Sequence, residues 1–213
     1  MGGVFQEKKR YLRMAELTKQ DLIDFEEKIA AQYGRGKIGG PIHLRNGNEQ
    51  QLIEIFKSIY KEDYVFSTWG SHLHALLKGV PPHRIEAEIN CGRSISLMFP
   101  EYRFFTSAIV GGICPIATGV AWSIKQNRKN NHVYTFIGDM ASFTGAMHES
   151  LTYATNFDLP ITFVIEDNEK SVETPTYEAW NCKSNPYKNH PKVKYYQYEL
   201  TYPHSGTGKF IEF

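Results

Sequence analysis

Two short apolar runs, separated by an amphipathic stretch, form the clearest pattern along the chain. Residues 133–137 and 161–165 are rich in β-branched and aromatic side chains and are bounded by turn-forming residues. Such runs are typical of parallel strands that are covered on both faces of a sheet. The stretch 145–156 between them has apolar residues at helical spacing, at Met147, Leu151 and Ala154. The pattern therefore predicts a strand-helix-strand unit within an α/β fold.

The N-terminal part of the chain predicts two helices, a loop and a further strand. Apolar residues recur at helical spacing in residues 15–33, and Thr18 suits the N-cap of that helix. The glycine-rich segment that follows could turn the chain or wrap a polar ligand. Residues 49–60 then predict an apolar helix, and residues 63–67 predict a short strand.

Three later segments complete the predicted elements. Pro115 suits the first turn of a helix, and the small residues after it permit close packing. Residues 176–194 are rich in Asn, Pro and Lys without periodicity, which indicates a surface excursion. Residues 193–201 alternate enough to predict a last strand.

The bulk properties limit the kinds of protein that the chain can be. Its 213 residues fit one α/β domain with a short N-terminal arm. We place the N-terminal arm and its helix at residues 1–34 and the domain at residues 35–213. A net charge of +1 with interspersed signs gives no field for nucleic acid or an anionic membrane. Three unpatterned cysteines, with no signal peptide or long apolar span, indicate a cytoplasmic protein. The aromatic content of 14% makes a partner subunit a reasonable expectation.

Oxygen-bearing side chains follow the two central strands. Asp139 comes after the first strand and Asn168 after the second, at the carboxyl edge where α/β proteins bind ligands. Carboxylate and amide oxygens suit a magnesium ion that also holds phosphates, and Gly138 permits close backbone approach. The sequence thus predicts a magnesium and phosphate site at this edge.

The same region resembles the thiamine diphosphate motif, which begins Gly-Asp-Gly and closes on Asn about thirty residues later. The matching positions are Gly138-Asp139, Gly145, Glu149, Leu159-Pro160 and Glu166-Asp167-Asn168. The closest likeness is to the α subunit of the first component of the 2-oxo acid dehydrogenases, of the pyruvate and branched-chain type. It implies a diphosphate-binding domain of the thiamine diphosphate-binding fold, with a mostly parallel sheet and helices on both faces. Met140 and Asp167 depart from the motif, and an ordinary Rossmann-like unit with an accidental Gly-Asp is the alternative.

The resemblance also implies the site residues. The implied cofactor-binding residues are Trp69, Ile109, Val110, Gly111, Gly138, Asp139, Met140, Ala141, Asn168 and Lys170. Magnesium would be held by Asp139, Asn168 and the carbonyl of Lys170. His72 and His204 match histidines of the family's active site, and His204 is the candidate proton donor. Gly70 stands where the family has a phosphate-binding arginine, and Lys78 and Arg93 are the candidate replacements.

The resemblance implies an enzyme that decarboxylates a 2-oxo acid and transfers the acyl or aldehyde fragment. A separate β-type subunit would supply the pyrimidine-binding domain and the activating glutamate, in an α2β2 assembly. The cofactor half of a split transketolase is one alternative, which the Gly47-x-Glu49 helix start and the Ile109-Val110-Gly111 turn disfavour. A degenerate α-like chain that binds a partner but little cofactor is another, because Gly70 and Met140 depart from the family.

Overall fold

A six-stranded sheet forms the centre of the computed structural model, which describes residues 17–204 and residue 211. The strands of this part of the chain are β1 (Tyr64–Ser67), β2 (Met98–Phe99), β3 (Phe104–Thr106), β4 (Val133–Gly138), β5 (Ile161–Asp167), β6 (Lys170–Ser171), β7 (Thr174–Pro175) and β8 (Val193–Gln197). The sheet order is β2-β3-β1-β4-β5-β8, and every neighbouring pair is parallel except β2 and β3. Strands β6 and β7 form a separate antiparallel hairpin.

Helices cover both faces of the sheet. They are α1 (Lys19–Gly34), α2 (Glu49–Phe56), α3 (His72–Leu77), α4 (Pro82–Asn90), α5 (Ile113–Gln126), α6 (Asp139–Ser142), α7 (Gly145–Asn156) and α8 (Thr176–Ala179). None of the helices within residues 17–204 combines the length and the apolar character that are needed to cross a bilayer.

Two apolar clusters show which helix lies on which face. Helices α1 to α4 pack with Phe136 and Val164 in one cluster, and α5 and α7 pack with Ile137 and Ile165 in the other. Neighbouring residues of β4 and β5 point to opposite faces because side chains alternate along a strand. Both faces of the central strands are therefore apolar, as the continuous runs in the sequence predicted, and the α/β fold class is confirmed.

The predicted elements are confirmed in type, with shifted ends, and the structure adds several short elements that the sequence pattern does not predict. The helix predicted at 49–60 ends at Phe56, and the strand predicted at 193–201 ends at Gln197. Strands β2 and β3 were not predicted, because two or three residues carry too little periodicity to indicate a strand. Between residues 176 and 194 the chain forms α8 and turns. Thr176 and Asn185 are nevertheless buried there.

The first helix begins where the sequence indicated. The Thr18 hydroxyl accepts from the Asp21 N–H at 3.2 Å, and the Asp21 carboxylate accepts from the Thr18 N–H at 2.7 Å, which completes a capping box. Leu22, Phe25 and Ile29 of this helix join the same apolar cluster as the sheet. Residues 1–16 of the predicted N-terminal arm lie outside the described residues, and the boundary at residue 34 stays a prediction.

The connections of the sheet open a crevice between β1 and β4. The chain leaves β1 towards α3 on one face, whereas it leaves β4 towards α7 on the other face. Adjacent parallel strands whose connections diverge in this way leave a gap at their carboxyl ends, where α/β proteins bind ligands. The fold therefore places a candidate site beside Ser67 and Gly138, which end these two strands.

Candidate functional site

A cavity of about 340 Å³ lies at this crevice. Its wall comes from six segments of the sequence: the loop before α2, the ends of β1, β4 and β5, the turn before α5, and the segment after β8. Of the residues predicted to bind the cofactor, those that line it are Trp69, Val110, Gly138, Asp139, Met140, Ala141, Asn168 and Lys170. The cavity therefore gathers most of the predicted site.

The three predicted metal ligands meet in the cavity. The amide nitrogen of Asn168, when it faces inward, lies 2.8 Å from the Lys170 carbonyl oxygen and 3.2 Å from Oδ1 of Asp139, and it can donate to both. Half a turn of the amide brings its oxygen to the same position. A carboxylate, an amide and a carbonyl oxygen then face one another at these distances.

This donor set fits a magnesium ion. Neighbouring ligands of an octahedron with magnesium–oxygen distances of about 2.0–2.1 Å lie roughly 2.9 Å apart, which agrees with the two separations. Oδ2 of Asp139 is buried and has no hydrogen-bond partner among the described residues. Residues 17–204 contain no group of three or more His, Cys, Asp and Glu side chains that could hold a metal ion by themselves. The site therefore suits a hard cation that takes its remaining ligands from phosphate oxygens and water.

The pKa of Asp139 reflects the same environment. Burial is the main cause that raises the pKa of this carboxyl to about 6, and the nearby charge of Asp167 adds to it. A buried carboxylate without a bound cation is destabilised relative to its protonated form. The position of Asp139 is thus unfavourable for the isolated chain and favourable for binding a cation.

Asp167 shapes the turn that presents the Lys170 carbonyl. Its carboxylate accepts hydrogen bonds from the hydroxyls of Tyr177 and Tyr195 and from the Glu169 N–H, the last at 2.9 Å. An ionised carboxylate is an acceptor only, so it satisfies three donors, whereas an asparagine would turn an NH2 group towards some of them. The departure from the motif at Asp167 therefore has a structural reason, and Asp167 is not one of the residues that line the cavity.

Glu166 links the end of β5 to neighbouring elements. It is fully buried, and its Oε1 accepts from Nε2 of His74 at 3.2 Å, from the Asn48 amide at 3.2 Å and from the Tyr196 hydroxyl at 2.6 Å. Burial alone raises the pKa of this carboxyl, but His74, Arg45 and these hydrogen bonds outweigh it and lower the pKa. The end of β5, from which Asn168 follows, is thereby fixed to α2, α3 and β8.

The predicted cofactor-binding turn at residues 109–111 lies directly before α5. The Val110 side chain lines the cavity, whereas Ile109 is 73% exposed. Gly111 has a φ of 73°, and a Cβ at this position would lie 2.6 Å from the Thr144 hydroxyl. The turn therefore requires glycine, and it leaves two apolar side chains partly in solvent.

Met140 has a defined place in the wall. Its sulfur accepts a hydrogen bond from the indole N–H of Trp180 at 2.9 Å. That indole is stacked on Phe143 with ring centroids 5.1 Å apart. The larger side chain at the third motif position thus contacts the residue that follows α8, and Met140 remains one of the residues that line the cavity.

The structure does not place His72 at the cavity, and the expectation that it faces the active site is wrong for this chain. The ring is fully buried, with Nδ1 3.1 Å from the Glu26 carboxylate and Nε2 2.8 Å from the Ser94 hydroxyl. All three groups are buried, so this Ser-His-Glu arrangement gives no substrate access. The network ties α1 and α3 to the turn at Ser94. A matching histidine in the sequence could not reveal which way its ring points.

His204 does line the cavity, and it lies beside a histidine to which no role was assigned. The rings of His43 and His204 have centroids 4.6 Å apart, and His43 also faces Trp69 at 5.8 Å. Burial lowers the pKa of His43 to about 3, and the charges of His204 and Arg45 contribute. Burial also lowers the pKa of His204. Both rings are therefore neutral near pH 7, and each can donate one N–H and accept one hydrogen bond.

Neither of the suggested replacements for the missing arginine reaches the cavity. Lys78 donates to the carbonyl oxygens of Tyr60 and Lys61 at 2.8 and 3.1 Å, and Arg93 forms an ion pair with Glu88. Both suggestions are therefore wrong. The structure instead places Arg45 in the cavity wall, directly beside Gly70. The signal for it in the sequence was an arginine in the glycine-rich loop, which by composition favoured a simple turn.

The burial of Lys78 leads to a pH-dependent prediction. Burial lowers the pKa of this ammonium from 10.5 to about 8. Because the folded chain loses this proton at a lower pH than the unfolded chain, the free energy of unfolding should rise from about pH 8 to about pH 10.5, by up to about 3 kcal/mol. Urea unfolding across this range, compared with Lys78→Met, measures the difference. An identical pH dependence in both proteins would contradict the prediction.

Comparison with known proteins gives consistent matches. The model of a family described as dehydrogenase E1 component matches residues 18–190. The α subunit of the pyruvate dehydrogenase E1 component of Rickettsia bellii is 36% identical over 160 residues, which are 70% of this chain and 49% of that protein. The α subunit of the acetoin:2,6-dichlorophenolindophenol oxidoreductase of Cupriavidus necator is 34% identical over 155 residues, 68% of this chain and 46% of that protein. The chain thus spans about half the length of these relatives.

Among solved structures, a Mycobacterium smegmatis protein described as a thiamin diphosphate-dependent enzyme superposes with a TM-score of 0.44. The two chains are 18% identical, and the match covers 59% of this chain and 21% of the other. This score is too low to support an argument about the fold. The family model, by contrast, covers most of the chain, including both strand ends that form the cavity. The chain belongs to the dehydrogenase E1 component family.

Proposed function

We propose that the chain is an α-type subunit of a thiamine diphosphate-dependent enzyme that decarboxylates a 2-oxo acid and passes on the acyl or aldehyde fragment. The observation that carries the proposal is the meeting of Asp139, Asn168 and the Lys170 carbonyl in one cavity. Membership of the dehydrogenase E1 component family supports the reaction class. Bound thiamine diphosphate supplies a nucleophilic carbon that attacks the carbonyl of the 2-oxo acid.

The residues of the chain would divide the work of holding the cofactor. Asp139, Asn168 and the Lys170 carbonyl would hold magnesium, and the backbone at Gly138, Met140 and Ala141 would line the diphosphate. Trp69, with Val110 and its neighbours Ile109 and Gly111, would border the rings at the mouth of the cavity. His204 would present a neutral imidazole to the substrate, to which its N–H can donate a hydrogen bond.

We further propose that a β-type subunit completes the site in an α2β2 assembly. The apolar side chains of Ile109 and Val110 are 73% and 49% exposed, and Val110 lines the cavity, so a partner that covers this turn would also close the site. A partner would also supply the pyrimidine-binding domain and the glutamate that activates the cofactor.

Cys91, Cys114 and Cys182 are all free thiols in the structure, which supports our proposal of a reducing, cytoplasmic compartment.

Reconstitution tests this proposal. The chain is mixed with a β-type subunit of the same family, and release of CO2 from pyruvate and from branched-chain 2-oxo acids is measured with and without thiamine diphosphate and magnesium. We expect decarboxylation that requires both subunits and both cofactors. Turnover of a sugar-phosphate donor instead would identify a transketolase half. An assembled but inactive complex that binds no cofactor would identify a non-catalytic partner chain.

A further inference from the structure

We infer that Arg45, from the loop before α2, supplies the cation that holds a phosphate group of the cofactor, in place of an arginine at position 70. The inference rests on the proposed function and adds to it a binding residue that replaces Lys78 and Arg93. It is carried by the shape of the site, by the charge of Arg45 and by its place in the cavity.

The shape of the site shows that Arg45 and a side chain at position 70 exclude each other. A Cβ built on Gly70 would lie 2.5 Å from Nε of Arg45 and 3.2 Å from its Cζ and Nη2. Gly70 does not adopt a positive φ, so its backbone would accept any residue if the space were free. The guanidinium therefore occupies the space into which an arginine at position 70 would have to extend.

The hydrogen bonds of Arg45 position its guanidinium and include no direct ion pair. Nε donates to the Gly70 carbonyl at 3.2 Å, and Nη1 donates to the Tyr198 hydroxyl. The residue is only 8% exposed, and among the described residues no carboxylate lies within ion-pair distance of it. The buried Glu166 carboxylate stabilises this charge from a distance, but no carboxylate bonds the guanidinium directly, so the guanidinium can still bond an anion in the cavity.

The cavity brings Arg45 together with the metal ligands. Arg45 lines the same cavity as Asp139, Asn168 and Lys170. A planar guanidinium can bond two phosphate oxygens at once, which a lysine ammonium does not match. The Lys170 side chain also lines the cavity, but it is exposed to solvent. A buried, positioned arginine binds phosphate more strongly than a solvated lysine, because its interaction is less screened.

Calorimetric titration of the full chain with magnesium pyrophosphate, and separately with magnesium thiamine diphosphate, tests the inference. Arg45→Gln should weaken both by a similar factor of about 10 to 100, the loss of a charge-assisted hydrogen-bonding group. The affinities of Arg45→Lys for the two probes should lie between those of Arg45→Gln and those of the wild type. The matched control Arg84→Gln removes the same charge from an exposed pair with Glu101 and should leave both affinities within about twofold.

Exchange of the two positions provides the sharper test. Gly70→Ala should weaken binding in the wild type because its Cβ displaces Arg45, whereas in an Arg45→Ala background it should have no further effect. Gly70→Arg combined with Arg45→Ala should recover most of the affinity that Arg45→Ala loses, because the guanidinium then enters the same space from position 70. Circular dichroism checks that each variant folds, and Arg45→Lys, which keeps the charge, replaces Arg45→Gln if the latter does not fold.

The outcomes separate this inference from the proposed function. Wild-type chain that binds neither probe, either alone or mixed with the β-type subunit, would contradict the cofactor site itself. Wild-type binding that Arg45→Gln leaves within twofold, or that Lys170→Gln removes while Arg45→Gln does not, would overturn the role of Arg45 and leave the cofactor site intact. Loss in Arg45→Ala and recovery in the exchanged double variant would establish it.

Discussion

Replacement of Asp139 by alanine is expected to abolish the magnesium-dependent binding of thiamine diphosphate, with a loss of affinity of roughly a hundredfold or more. Asp139 supplies the one charged side chain among the three predicted ligands, and its Oδ2 has no other partner among the described residues. Without it, an amide and a carbonyl oxygen have too little charge to hold magnesium beside a diphosphate. Titration with the cofactor at saturating magnesium measures the loss.

The same variant should fold at least as stably as the wild type. Burial raises the pKa of the Asp139 carboxyl to about 6, so the ionised group is destabilised in the folded chain near pH 7. Lost cofactor affinity together with unchanged or higher stability is the result expected for a residue that serves binding at the expense of stability. Asp24→Ala, an exposed aspartate on α1, is the matched control and should change neither affinity nor stability. Unchanged cofactor affinity in Asp139→Ala would refute the metal site.

Replacement of Glu166 by alanine is expected to lower the free energy of unfolding by about 3–5 kcal/mol. Its Oε1 accepts from three donors, and removal of the carboxylate leaves the donor groups of His74, Asn48 and Tyr196 without their acceptor. A loss of this size is a large part of the total stability of an ordinary domain. Urea unfolding measures it, and a double-mutant cycle with His74→Ala isolates the contribution of the pair.

Glu54→Ala provides the control for this stability effect. Glu54 pairs with Lys57 on the surface of α2, where both side chains are more than half exposed. Such pairs contribute about 0–1 kcal/mol, so the midpoint of unfolding should hardly move. Equal midpoints for Glu166→Ala and Glu54→Ala would show that the Glu166 network does not hold the end of β5.

The sequence by itself determined the central unit and the ends from which its ligands extend. The apolar runs at 133–137 and 161–165 determined two parallel strands, because a strand that is apolar on both faces must be covered on both faces of the sheet. Parallel strands end at the same edge, so Asp139 and Asn168 had to lie near each other. Both the strands and the proximity of the two side chains follow from local periodicity and chain direction, so the spacing of the motif was sufficient to predict them.

Only the tertiary structure decided which other side chains reach the cavity. His72 matches a family motif, yet packing turns it towards Glu26, and Arg45 is 25 residues from the Gly70 carbonyl that it contacts. Long side chains and loops take their direction from packing between distant segments, and local sequence carries no record of those contacts. For the same reason the short strands β2 and β3, which depend on pairing rather than periodicity, became visible only in the assembled sheet.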